Sequence, residues 1–132
     1  MLPWTPLGGG ALTGKYLDAD GRFVADATRY PEGSRMRRFP KFMPRFLSPR
    51  AVEATESYWK IAKRHGVSLT ELSLSFCLSR WYNTSTIIGA TTLAQLEETL
   101  APFMEGAPAL PQEVLQEIDA VHISSMHPIC DL

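Results

Sequence analysis

Hydrophobic spacing divides this chain into short, well-punctuated elements. Val52, Thr55, Trp59 and Ala62 recur at helical intervals after Ser48-Pro49, an N-cap followed by the residue best tolerated at the first helical position. Lys60, Lys63 and Arg64 gather toward the end of that helix, and Gly66 stops it. Ser68 to Glu71 has capping-box spacing, with Val67 placed to staple onto Leu72, which predicts a second helix running to Arg80. Leu72, Leu74, Phe76, Cys77 and Leu78 make it apolar on more than one side, the pattern of a helix packed between layers. Thr84 to Gly89 (TSTIIG) is short and β-branched and predicts a buried strand. A third helix is predicted over Leu93 to Phe103, with Leu96, Leu100 and Phe103 inward, and Pro111 opens a fourth carrying Val114, Ile118 and Val121.

Upstream of these helices the pattern is weaker. Met1 to Leu7 (MLPWTPL) reads as an extended segment, because Pro3 and Pro6 exclude a helix interior, and Trp4 is its expected buried residue. A glycine run then turns the chain. Asp18 to Pro49, interrupted by Pro31, Pro40 and Pro44, reads as loop with one short helix, and a loop of that length in a compact domain is usually functional or disordered. The order strand, loop, two helices, strand, helix, helix defines an α/β chain.

Composition narrows the class. The 132 residues are 45% hydrophobic and 20% charged, ordinary values for a soluble globular domain. No apolar run reaches bilayer-spanning length and no secretory-signal pattern opens the chain, so no membrane is expected and a cytoplasmic setting is. Cys77 and Cys130 have no metal or redox spacing and read as reduced bystanders. The net charge of −1 conceals a split: all 13 Lys and Arg lie within residues 1–81, whereas residues 82–132 carry only acids. Such asymmetry points either to an anionic ligand or to two halves that complement each other.

Three motifs carry candidate chemistry. In PLGGGALTGKY, Gly9 to Lys15 spell G-x-x-x-x-G-K, but Tyr16 stands where a nucleotide-hydrolysing P-loop needs Ser or Thr for its metal ion. A bare turn needing positive φ explains the glycines equally well. In IIGATTLAQLEETL, a strand ends at Gly89 and a threonine pair opens a helix, a place where backbone N–H groups bind anions; Thr92 and Gln95 also have capping-box spacing, and Glu98 alone would be a surface acid. In GSRMRRFPKFMPR, Arg35, Arg37, Arg38, Lys41 and Arg45 interleave with Phe39, Phe42 and Phe46, which suits single-stranded nucleic acid, one phosphate, or plain solvation. An overall pI of 6.3 argues against nucleic acid as the partner. His65, His122 and His127 show no metal spacing and no nucleophile motif, so no metal site is expected; His65 before Gly66 fits a helix end.

Taken together, W-x-P-L-x-x-G-x-L-T-G-K-Y, the Ser34-Arg35 pair after the long loop, and I-I-G-A-T-x-x-x-Q-L-x-E resemble the C-terminal part of aldo-keto reductases over essentially the whole chain. The likeness is to the branch containing Tas-like oxidoreductases and potassium-channel β subunits. It implies the C-terminal segment of a (β/α)8 TIM barrel, with about two strands, four or more helices and the barrel incomplete. It also implies an NADP-dependent oxidoreductase in which this chain, 1–132, is the NADP(H)-binding part. By that resemblance Thr5, Pro6, Leu7, Gly8, Gly9 and Lys15 line the pyrophosphate turn, and Arg35 meets the 2′-phosphate, the role an arginine plays where NADP is preferred to NAD. Gly89, Thr91, Gln95 and Glu98 hold the adenosine end, and Thr99 stands where asparagine is common. The family's catalytic Asp, Tyr, Lys and His lie on earlier strands, and Tyr16, Tyr30, Tyr58, Tyr82 and Lys15 do not match them, so no catalytic residue is expected here. NADP(H) and a small carbonyl substrate are the partners implied for a complete barrel, with a complementary barrel segment needed to cover this one. The expectation is therefore a truncated product, a split-barrel partner, or a non-catalytic interaction module or remnant.

Overall fold

A computed structural model describes residues 1–39, 41 and 44–125. Pro40, Phe42, His127 and Cys130, singled out above, lie outside the described residues.

The opening segment is extended and pairs in parallel with the segment before Gly89. The Thr84 N–H donates to the Met1 carbonyl at 2.9 Å and the Ile87 N–H to the Pro3 carbonyl at 2.9 Å, and Trp4 bridges Ile87. Gly8–Thr13 then forms a tight 3-10 turn. The long loop carries a 3-10 turn at Ala27–Arg29, the short helix α1 (Arg35–Arg38) and a further turn at Pro44–Leu47. Helices α2 (Pro49–Arg64), α3 (Leu69–Ser79), α4 (Leu93–Leu100) and α5 (Gln112–Ser124) complete the described fold.

The capping chemistry is realised. Ser48 Oγ accepts from the Ala51 N–H at 3.2 Å and Ser68 Oγ from the Glu71 N–H at 3.0 Å, so one orphan donor of each helix start is satisfied. Gly66 ends α2 at φ 71°. The inward stripe of α2 is rotated from the expected one: Ala51, Ala54, Thr55, Ile61 and Ala62 are buried, while Val52 and Trp59 are half-buried. Ile61, Ala62, Leu69, Leu72, Val114 and Ile118 form one core shared by α2, α3 and α5. Full burial of each large member stabilises by roughly 1.5–3 kcal/mol before entropy is counted. Ala11, Tyr16, Tyr30 and Met36 form a second cluster beneath the long loop.

Three expectations are corrected. Trp4 is 68% exposed and Ile87 53% exposed, so neither the opening segment nor Thr84–Gly89 is buried. Their ladder is one bridge wide among the described residues, and no further strand covers its faces. Pro102, which lacks a backbone N–H, ends α4 at Leu100 and turns Ala101–Phe103 into a 3-10 segment. Thr99 and Pro102 are the buried residues there, in place of Leu96 and Leu100.

Part of the charge split is internal complementarity. Glu117 on α5 pairs with Arg64 and lies 2.9 Å from His65 Nε2 at the end of α2, and Asp119 accepts from Arg80 at 2.9 Å. Glu56 accepts both from Arg22 and from the Phe23 N–H at 2.9 Å, tying the long loop to α2. Burial pushes the Cys77 thiol up, away from reactivity.

Two outcomes follow from this packing. A Cβ on Gly21 would stand 2.1 Å from the Trp59 ring at a φ of 74°, so Gly21→Ala is expected to cost about 2 kcal/mol or more. A lower urea midpoint at unchanged slope registers that loss; an unchanged midpoint refutes the contact. The hydrogen bond from His65 holds the Glu117 carboxyl below its ordinary value of 4.5. A carboxylate depressed in the folded state stabilises above its unfolded pKa, and that contribution is lost as pH falls through the folded value. Melting temperature should therefore drop below pH 4.5 less steeply in Glu117→Gln than in the parent chain.

Candidate functional site

Parallel pairing sends two loops out from one end of the bridge. Thr5 follows Trp4 and leads into the glycine turn; Ile88 and Gly89 follow Ile87 and lead into α4. The two motifs, some eighty positions apart in sequence, thus leave the bridge in the same direction, toward the end where ligands sit in parallel α/β folds.

The first loop is conformationally costly. Gly8, Gly9 and Gly10 have φ of 57°, 66° and 102°, a run of left-handed residues open in practice only to glycine. Thr5 also sits at φ 57°, where a β-branched residue is a genuine outlier, and such strain clusters at ligand sites. The turn is closed by its own backbone: the Gly8 N–H donates to the Thr5 carbonyl at 2.9 Å, and the Leu7 carbonyl accepts from Gly10 at 2.9 Å and Leu12 at 3.2 Å. Lys15 folds back across it, so that a Cβ on Gly10 would stand 2.8 Å from Lys15 Nζ. Gly10, absent from the expected set, is what lets the lysine lie there. The exposed Lys15 ammonium is 5.3 Å from the Tyr16 ring centre.

Helix α1, which begins with Arg35, packs against this turn. Ser34, at its N-cap, makes no capping bond, and its buried Oγ has no hydrogen-bond partner among the described residues. An orphaned hydroxyl beside an arginine fits a phosphate acceptor, since a buried polar atom needs a partner. The neighbouring cations are differently engaged: Arg37 donates to the Tyr30 carbonyl at 2.7 Å, and Arg45 lies over Phe46.

The second loop is organised by capping. Thr92 Oγ1 accepts from the Gln95 N–H at 3.2 Å, and Gln95 Oε1 accepts from both the N–H and the hydroxyl of Thr91, at 3.0 and 2.9 Å. The structural reading of Gln95 is therefore realised, and its side chain fixes Thr91. Gly89 and Thr91 line an open groove floored by Leu93 and Leu96. Glu98 is exposed a turn further along and does not line it. Thr99 donates to the Gln95 carbonyl at 2.8 Å and is buried, so its hydroxyl serves its own helix.

The glycine turn is itself a 3-10 segment and leads into the antiparallel bridge Leu17–Phe23. A P-loop opens a long α-helix instead, so that reading fails. Burial raises the pKa of Tyr30 and Tyr58, the opposite of what a tyrosine proton donor to a carbonyl requires. Among the described residues no group of three His, Cys, Asp or Glu could hold a metal ion, and no helix is long and apolar enough to cross a membrane.

Comparison with known proteins gives the family. A sequence model described as Aldo/keto reductase family matches residues 1–123. The chain is 33% identical over 129 residues to Protein tas of Escherichia coli K12, covering 97% of this chain and 33% of that protein. It is 33% identical over 130 residues to an aldo-keto reductase of Babesia bovis, covering 98% of this chain and 42% of the relative. A probable voltage-gated potassium channel subunit beta of Oryza sativa subsp. japonica is 33% identical over 125 residues, 92% of this chain and 34% of its own length. The chain belongs to the aldo/keto reductase family, whose fold is a TIM barrel. It spans about a third of the length of Protein tas and of the rice protein.

Thr5→Gly relieves about 1 kcal/mol of left-handed strain, partly offset by glycine's greater unfolded-state freedom. The variant should be at least as stable as the parent by urea denaturation. A lower midpoint would mean that the Thr5 conformation is not strained.

Proposed function

We propose that this chain is the NADP(H)-binding, C-terminal part of an aldo-keto reductase domain, acting in a complete barrel on a small carbonyl substrate. The observation that supports it is the Trp4–Ile87 parallel bridge, because the strained glycine turn and the Gly89–Thr91 loop both follow it in the same direction. Bound NADPH would supply the hydride. Thr5, Pro6, Leu7, Gly8, Gly9 and Lys15 would hold its pyrophosphate, and Arg35 its 2′-phosphate. Gly89, Thr91 and Gln95 would support the adenosine end, with Glu98 receiving the adenine amino group.

On this reading the two bridged segments are two strands of an incomplete barrel, and the catalytic Asp, Tyr, Lys and His belong to strands outside this chain. A complementary barrel segment would cover Trp4 and Ile87, whose exposure supports the need for one. The setting is cytoplasmic, with no membrane or nucleic-acid partner.

A second reading has support of its own: the rice relative is named a probable potassium channel subunit beta. On that reading the same fold serves as a non-catalytic interaction module. NADPH oxidation that depends on added carbonyl, assayed with the complete barrel, separates the two.

Titration of the chain with NADPH and NADH, followed by tryptophan fluorescence, tests the leading reading, since Trp4 adjoins the glycine turn. Saturable quenching is expected, and Arg35→Ala should weaken NADPH about tenfold or more while leaving NADH nearly unchanged, because the lost partner is a charge-assisted phosphate contact. Equal weakening of both would remove Arg35 from the phosphate.

A further inference from the structure

Tyr16 has no role in the family reading above, yet it is the most enclosed side chain of the second cluster, with none of its surface exposed. Its ring lies 4.7 Å from Tyr30 and 6.1 Å from Phe23, and its carbonyl accepts from the Val24 N–H at 2.9 Å. Its hydroxyl reaches across twenty residues to accept from the Met36 N–H at 3.3 Å, a buried bond.

That donor is in the first turn of α1, immediately after Arg35. First-turn N–H groups have no partner within their own helix, and a side chain at the N-cap normally takes one of them. Ser34 occupies the N-cap and makes no such bond. A tyrosine two residues beyond the last glycine of the turn therefore does the capping, with Met36 wedged into the same cluster. Rigid at one end and bonded at the other, Tyr16 joins the Gly8–Thr13 turn to the helix that carries Arg35.

We infer that Tyr16 is a positioning residue that sets Arg35 against the glycine turn, and thereby the preference for a dinucleotide bearing a 2′-phosphate; this preference rests on the cofactor assignment proposed above. Specificity requires the arginine to be held at one distance from the pyrophosphate turn, and the Tyr16 hydroxyl links the residue just after that turn to a backbone group of α1. Tyr30 supplies an internal control. Its hydroxyl, in the same cluster, donates to the Val24 carbonyl at 2.8 Å and not to α1.

Tyr16→Phe and Tyr30→Phe, each made in the whole chain, test the idea through two readouts. The first is amide hydrogen exchange over residues 36–39. Exchange should quicken about three- to tenfold in Tyr16→Phe, the worth of one hydrogen bond, and not in Tyr30→Phe. The second is the ratio of NADH to NADPH dissociation constants. It should fall by a similar three- to tenfold factor in Tyr16→Phe alone, with the loss on the NADPH side. Unchanged exchange overturns the anchor itself. Faster exchange with an unchanged ratio overturns the link to specificity. If the parent chain binds neither dinucleotide, the cofactor reading fails separately, and exchange alone still decides whether Tyr16 anchors α1.

Discussion

The proposed two-loop site depends on one parallel contact between Trp4 and Ile87. A parallel pair cannot be closed by a tight turn; it needs a long crossover, here the whole stretch from the glycine turn through α2 and α3. Its reward is polarity: both segments point the same way, so the loops that follow them share an end. An antiparallel pairing of the same residues would have put the glycine turn and the Gly89 loop at opposite ends, and no single ligand could touch both.

Leu12 of the glycine turn packs against the apolar core shared by α2, α3 and α5, and the charged flank of that core is stitched by Glu117 and Asp119 to Arg64, His65 and Arg80. Exposed pairs of this kind are worth little singly. The loops contain what a stable domain normally avoids: successive left-handed residues, a strained threonine and a buried hydroxyl without a partner among the described residues. Strained features of this kind cluster at ligand sites in proteins generally.

Helix starts were the most legible part of the sequence. Ser48, Ser68 and Thr92 cap where local spacing says they should, because capping depends on three or four consecutive residues and on little else. Burial was less legible. Trp4 and Ile87 are apolar enough for an interior, but whether a side chain is covered depends on what lies across from it, which no local pattern reports. The turn at Pro102 shows a different limit, since a helical stripe continued through it while the missing N–H ended the helix. At the candidate site the glycines announced the left-handed turn. The strain at Thr5 and the reach of Tyr16 to Met36 did not show, because threonine and tyrosine carry no sequence signal for backbone strain or for a partner twenty residues away.

The most direct test of a single, two-loop site is a nitrogen-15 amide spectrum of the chain recorded during addition of NADPH. Gly8 and Gly9 report one loop, Gly89 and Thr91 the other. Both sets should shift along one binding curve with a common midpoint. Movement of one loop with the other silent, or two separate midpoints, would mean that the parallel contact does not bring them together into one site.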